Sequence, residues 1–451
     1  MRSFKLNVGA VVLLAPLALL GAACDGGGDS EEQPRFPGGT DPLPPLPDDV
    51  ALPIVFVHGF AGSAAQYQSQ QMRFVANGYS ADRIYAYDHD GQGVDFPGYV
   101  AGTDETVDRA MADHGVTQVY LVGHSRGTSV SSQYLGDAGR AAKIAKYIAL
   151  DGSGCAAAMT AGVPCIEPNQ AMLPGEAHVE VATSAPSFAM QYEFLIGEAP
   201  EVTEIVAQAA PVVIGGRAVN FPLNTGRDGA TLNIWEIDSD TAERLSDTAV
   251  ATFVLDASGD WGPVTVAPDK HYELSLSSDD STTQQHFYPQ PFLRSTNFVR
   301  LLSGEPDAPT RMNTNTGPDH AAVIAMRMRE WKPSDVLEIS TTSESHGDQA
   351  MVNAITSDTG SEEGFASIAI HIHDDAATPA DSSLELLPYF PEQPFQTGVD
   401  VYMPAASPTD GTITVRNLPR GDTARPQVLR ARNWPSSDHI ITLMFSDFAQ
   451  D

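Results

Sequence analysis

The sequence predicts an α/β domain with a mostly parallel sheet over residues 51–211, followed by an all-β region that runs to residue 451. Three observations predict it. Short β-branched runs alternate with helical segments from Leu52 to about Pro200, the pattern of a sheet covered on both faces. A glycine-flanked serine stands at a strand-to-helix junction. Past about Val212 the helical period fades, and short alternating strands appear between Gly, Asp, Asn and Pro turns.

The elements follow in order. Residues 53–57 (PIVFV) suit a buried first strand. Ser63 caps a helix with Gln66 as capping-box partner, and Asn77-Gly78 stops it. Residues 83–87 (RIYAY) give a second strand. Thr103, followed by Asp104 and Glu105, marks the start of another helix with Val107, Ala110 and Met111 on its inner stripe. Residues 118–122 and 146–150 are the third and fourth strands, and a last helix covers 186–196 before Gly197. In the β half, 230–237, 264–266, 271–276, 368–373, 412–415 and 440–445 read as strands, whereas 321–331 fits either a strand or a short helix. The β half divides near Gly304 into a module over 212–303 and either a second module or the rest of a barrel over 304–451.

Length and charge set the outer limits. A chain of 451 residues accommodates two or three domains, each able to bury a core. The formal net charge of −33 repels phosphate backbones and argues against nucleic acid as a partner. Arg2 and Lys5 precede an apolar run from Val8 to Ala23, which reads as an export signal over 1–23. The run ends in Leu20-Gly21-Ala22-Ala23-Cys24, which resembles a bacterial lipobox. That reading makes Cys24 a lipidation site and membrane anchor, and residues 24–50, rich in Gly, Pro and acid, a disordered tether. An exported lipoprotein of the cell envelope, or an extracellular protein, is the expectation. Cys155 and Cys165 then remain either to pair in an oxidising compartment, closing a short loop worth about 2–3 kcal/mol, or to stand as two unrelated buried thiols.

The chemistry centres on Gly123-His124-Ser125-Arg126-Gly127, directly after the third strand and opening a helix. In this context Gly-x-Ser-x-Gly is a nucleophile elbow: the turn is too tight for side chains two places either side of the serine, and it strains Ser125 while exposing its hydroxyl. The hydroxyl needs a base. Of His58, His89, His114, His124 and His178, the last lies late in the domain, before the final helix, with His89 the main rival. Asp151 follows the fourth strand, at the sheet edge that carries Ser125, and is the expected acid; Glu176 and Glu180 are the rivals. The backbone N–H groups of Phe60 and Arg126 are the candidate oxyanion hole.

With these motifs in place, residues 53–70 (PIVFVHGFAGSAAQYQSQ), GHSRG at 123–127, LDG at 150–152 and HVEVATS at 178–184 resemble the secreted α/β-hydrolase lipases and esterases. The architecture resembles that of the thermophilic archaeal lipase type with a C-terminal β-barrel. The resemblance implies an α/β-hydrolase catalytic domain followed by a C-terminal all-β (sandwich or barrel) region, a triad of Ser125, Asp151 and His178, and a β region that helps bind acyl chains. It departs at Arg126, where such lipases often carry leucine or methionine.

Two segments are candidate pocket walls: the glycine-rich 89–102, as a lid, and 152–175, whose Met159, Val163, Ile166, Met172 and Leu173 offer apolar surface. His371 and His373 share a strand face beside Asp374 and Asp375, a spacing that suits a metal but lacks further ligands; Asp438-His439 is a weaker case. The expectation is no metal and no organic cofactor. Arg416, Arg420, Arg425, Arg430 and Arg432 serve either to pair with acidic surface or to bind an anionic lipid or polysaccharide. The function expected is a serine carboxylic-ester hydrolase acting on lipid or another ester. The alternatives are an extracellular polyester depolymerase, thioesterase or amidase with the same triad, and a non-catalytic surface binding protein on the same scaffold.

Overall fold

In the computed structural model the described residues are 43–448, apart from 49, 210, 280, 305–307, 356–366, 376 and 379–381. The export signal, Cys24 and most of the tether lie outside them.

The first sheet is parallel and five-stranded. β1 (Ile54–Val57) lies between β2 (Ile84–Tyr87) and β3 (Val119–His124), and β4 (Ile144–Leu150) and the short β5 (Cys165–Ile166) continue beyond β3. All four residues of β1 and all six of β3 are buried, as central strands covered on both faces must be. One core face gathers Ile54, Phe56, Val122 and Ile148 against Phe74 and Phe188; the other gathers Val55, Val57 and Leu121 against Val107 and Val130.

The helices obey local signals. Ser63 caps a short 3-10 turn that leads into α1 (Gln68–Ala76). α2 (Phe96–His114) begins a full two turns before Thr103, because Asp95 caps the Gly98 N–H and Pro97 occupies the first turn. Thr103 is therefore interior, its hydroxyl turned back to the Tyr99 carbonyl. The helix also shortens the expected lid, since only residues 88–95 remain as loop. α3 (Arg126–Leu135) springs from the elbow, and α4 (Ala138–Ala141) follows. The segment after β4 carries α5 (Ala156–Ala161) and the Cys155–Cys165 disulfide, with Cα atoms 5.8 Å apart. Met159 and Met172 are exposed and Val163 and Leu173 packed inward, and none of the four lines the cavity that holds Ser125. α6 (Glu180–Thr183) and α7 (Ala185–Ile196) close the domain, α7 capped by Ser184 and ended by left-handed Gly197.

Among the described residues the strand-rich region holds three sheets. β6 (Val212–Asn220) pairs with the short β7 (Thr225–Gly226), antiparallel with β10 (Asp260–Val266), and parallel with β13 (Thr296–Ser303). An eight-stranded sheet joins β8 (Thr231–Ile237), β9 (Ala251–Val254), β11 (His271–Ser278) and β12 (Ser281–Pro289) to four strands from beyond Gly304. Those are β14 (Val323–Met326), β17 (Ala369–His373), β18 (Gln396–Asp400) and β21 (His439–Met444). The third sheet is antiparallel, in the order β16 (Gln349–Ile355), β15 (Val336–Ser343), β19 (Gly411–Leu418), β20 (Gln427–Arg432).

The residue pairing of the large sheet runs straight across position 304: β21 inserts between β12 and β14, parallel to both. Backbone hydrogen bonds thus tie the two expected β modules together. The β region also enters the core of the parallel sheet. Phe298 of β13 meets Phe56 of β1 edge-on with ring centroids 6.4 Å apart. Segment 321–331, ambiguous by pattern, supplies the strand β14.

Candidate active site

Ser125 sits between β3 and α3 with φ 51° and ψ −120°, a left-handed conformation costly for a residue with a side chain. Its glycine neighbours explain how the turn is tolerated. A Cβ at Gly127 would fall 2.1 Å from the Val57 carbonyl oxygen, and one at Gly123 would fall 2.8 Å from the Gly127 carbonyl oxygen. Asp151 is also left-handed, at φ 40°. The two turns are laced together: the Ser125 N–H donates to the Leu150 carbonyl, and the Thr128 hydroxyl donates to the Ser125 carbonyl while accepting the Ser153 N–H.

Asp151 and His178 meet at this sheet edge. The His178 Nδ1 to Asp151 Oδ2 distance is 2.7 Å. Gln170 supports the carboxylate, its N–H donating to Oδ1 at 3.3 Å and its side-chain amide to Oδ2 at 3.1 Å. Ser125, His178, His124 and Phe60 line one cavity. Phe60 follows Gly59 at the end of β1, and a Cβ on Gly59 would stand 3.0 Å from the Cβ of Ser125, so β1 ends directly against the elbow.

The rival bases and acids have other partners. His58 and His89 stack on each other with centroids 3.9 Å apart, and burial holds both imidazoles below their ordinary pKa. His114 is a partner of Tyr85. Glu176 accepts the Ser184 hydroxyl, and Glu180 turns into an ion cluster with Arg329, Lys332 and Arg420 of the β region.

His124, inside the elbow, has a defined tautomer. Burial lowers its pKa to about 3, so the ring is neutral. Its Nδ1 lies 2.6 Å from the Gln66 side-chain amide nitrogen, which donates, so Nε2 carries the proton and donates to the His178 carbonyl at 2.9 Å. Neither Gln66, read as a helix cap, nor Gln170 carries a sequence signal for these roles.

Arg126 replaces the usual apolar residue with a clamp. Its guanidinium donates to the carbonyls of Gly93 and Asp90 at 2.9 and 2.5 Å and lies over the rings of Phe60 and Tyr99. The residual 88–95 loop is therefore pinned across the elbow. The loop after β1 is gripped by the β region: Asn224 donates to the Gly62 carbonyl, and Asp88, which accepts the Ala64 N–H, is buried between Arg217 and Arg300.

The cavity measures about 380 Å³ and extends from Ser125 into the β region, where Leu302, Ile324, Met326 and Ile440 form apolar wall. His371 reaches it with its ring stacked on Phe390 and its Nε2 donating to the Gln396 side-chain amide oxygen Oε1; His373 packs on the same phenylalanine. Among the described residues no three His, Cys, Asp or Glu side chains gather as a metal site. Of the arginine cluster, Arg416, Arg420, Arg430 and Arg432 pair with Glu338, Asp335, Asp240 and Glu243 respectively. His439 joins a buried chain with His286 and Glu273.

Comparison with known proteins assigns three stretches. Residues 53–178 match the alpha/beta hydrolase fold family, 210–306 match a lipase C-terminal domain, and 309–449 match a further C-terminal domain family. Among solved structures, a monoglyceride lipase from Saccharomyces cerevisiae is 19% identical over 24% of this chain and 39% of its own, with a TM-score of 0.19. A carboxylesterase from the thaumarchaeon Nitrososphaera gargenis is 19% identical over 24% and 40%, TM-score 0.19. An epoxide hydrolase from Vigna radiata is 23% identical over 22% and 33%, TM-score 0.18. The chain spans about 40% of the length of the first solved structures it matches.

Proposed function

From a chain that carries an α/β hydrolase domain with a lipase C-terminal domain behind it, we propose that this hydrolase is a serine carboxylic-ester hydrolase of lipase or esterase type. The observation that carries the reading is the 2.7 Å contact between His178 Nδ1 and Asp151, at the sheet edge where the strained Ser125 faces the same cavity as the imidazole.

The reaction follows from these groups. Ser125 Oγ attacks the ester carbonyl carbon as His178 Nε2 takes its proton. Asp151 holds the ring in the Nδ1–H tautomer and stabilises the imidazolium. The Phe60 and Arg126 N–H groups receive the developing oxyanion, each such donor being worth about 3–4 kcal/mol in comparable sites. Collapse breaks the carbon–oxygen bond, and His178 returns the proton to the leaving alcohol. Water, deprotonated by His178, then cleaves the acyl-enzyme and restores Ser125.

The cavity supports an acyl group of some length. Its wall is built from the β region as well as the hydrolase domain, so chain length is read jointly by both. In this proposal the substrate is a lipid or a related ester, and export with a lipid anchor on Cys24 sets the chain beside a membrane. The test is hydrolysis of p-nitrophenyl esters across chain lengths by the wild type and by Ser125→Ala. Turnover by the wild type and none by the folded variant is expected; equal turnover in both overturns the proposal.

A further inference from the structure

The peptide unit that links His178 to Val179 is held at both ends. Its carbonyl oxygen accepts the His124 Nε2–H at 2.9 Å. Its N–H, that of Val179, donates to Glu330 Oε1 at 2.5 Å, and the next N–H, of Glu180, donates to Glu330 Oε2 at 2.9 Å. Glu330 is 2% exposed and lies just beyond β14, in the β region. This peptide plane contains the His178 Cα, so holding it fixes the point from which the side chain starts, while the Asp151 contact orients the ring.

The residues behind Glu330 are packed and paired. Trp331 is 2% exposed and sits in the core of the large sheet, its N–H donating to the Ser367 carbonyl. Arg327 lies 4.2 Å from the Trp331 ring centroid and pairs with buried Asp335. On the other side of the joint, Arg329, Lys332 and Arg420 converge on Glu180. A buried carboxylate is costly unless its lone pairs are used, and burial raises the Glu330 carboxyl above its usual range. Two main-chain donors beside the proposed base offset that cost, and each points at the same short segment.

We propose that Glu330 is a positioning residue for His178, so that the β region completes the active site of the hydrolase domain rather than only extending its binding cavity. The inference rests on the ester-hydrolase reading and assigns a role to a residue that never touches substrate. Misplacement of the base by about 1 Å costs roughly 100-fold in rate, so the effect belongs in kcat rather than in KM.

The experiment uses the full chain with Glu330→Gln, which keeps one acceptor oxygen, Glu330→Ala, which keeps none, and Val415→Ala as a control. Val415 is fully buried in the same β core and makes no contact with the site. The expected order of kcat is wild type, then Gln, then Ala, with a fall of about 10- to 100-fold in Ala and KM within twofold. Fluorophosphonate labelling of Ser125 slows in parallel. Val415→Ala lowers the melting temperature and keeps kcat at temperatures where it is folded. Unchanged kcat in both Glu330 variants overturns the proposal, as does a loss that merely follows melting temperature along the line set by Val415→Ala. If the Ala variant does not fold, the Gln variant carries the test; collapse of both makes Glu330 a stability residue and also overturns it. An inactive and unlabelled wild type would instead overturn the ester-hydrolase reading, which keeps the two failures distinct.

Discussion

His178 Nδ1 lies 2.7 Å from Asp151 Oδ2, on a carboxylate whose backbone is itself left-handed at φ 40°. Asparagine tolerates that conformation, so Asp151→Asn keeps the turn. It presents either an oxygen or an amide to Nδ1 and cannot stabilise the imidazolium. We expect folding to be intact and kcat for a p-nitrophenyl ester to fall by about 10⁴. Steady-state kinetics on the folded variant checks this, and a loss under tenfold contradicts the assigned role.

Arg126 is predicted to matter for the loop above the site rather than for chemistry. Its side chain ties Gly93 and Asp90, whereas in the proposed mechanism only its backbone N–H takes part. Arg126→Leu removes the hydrogen bonds that this charged donor makes to the Gly93 and Asp90 carbonyls and its contact with His89 Nδ1, a loss of about 1–3 kcal/mol. The variant should keep measurable turnover of short esters and become cleavable by protease within residues 88–95. Protection equal to that of the wild type contradicts the clamp.

The cavity makes a prediction about chain length. Ile324 and Leu302 line it from the β region, far in sequence from the proposed nucleophile. Ile324→Trp and Leu302→Trp fill space without touching Ser125. They should lower kcat/KM for long-chain p-nitrophenyl esters by tenfold or more, since each buried methylene is worth about 0.8 kcal/mol, and leave acetate and butyrate hydrolysis within twofold. A uniform loss at all chain lengths places the acyl group elsewhere.

Acid should destabilise the fold below pH 6.5. Burial lowers the pKa of His124 to about 3 and of His371 and His439 to about 4. Each folded-state value lies below the unfolded value near 6.5, so between the two the unfolded chain binds more protons. The stabilisation is therefore complete above pH 6.5 and lost as pH falls through that window. Glu273 adds to this at lower pH: salt-bridged to Arg244 and bonded to His286, its carboxyl is held at about 2 against burial, and its contribution fades below about 4.5. Relief of the net charge of −33 acts in the opposite direction. The comparison that isolates the histidine effect is wild type against His371→Gln, which should show a shallower fall in melting temperature from pH 7 to pH 5. Parallel curves contradict it.

The legibility of this chain followed contact range. The elbow was readable because its glycines and strand context are contiguous, and Asp151 because a strand end is a local feature. Thr103 misled because Asp95 and Pro97, the stronger start signals, lie inside a glycine-rich stretch that reads as loop. Glu330 carried no pattern, since its partner Val179 lies 151 residues away. The pairing of β21 with β12 was equally hidden: alternation marks a strand but says nothing of its neighbours. The same holds for the arginines near the C-terminus, whose positions in sequence gave their charge but not the carboxylates that meet it.

The central claim is that Ser125 is a live nucleophile served by His178. Reaction of the full chain with a fluorophosphonate, followed by mass mapping of the modified peptide, tests it most directly. One adduct on Ser125 is expected, formed rapidly in the wild type and abolished in His178→Ala. A chain that stays unmodified, or carries its adduct on a different residue, contradicts it.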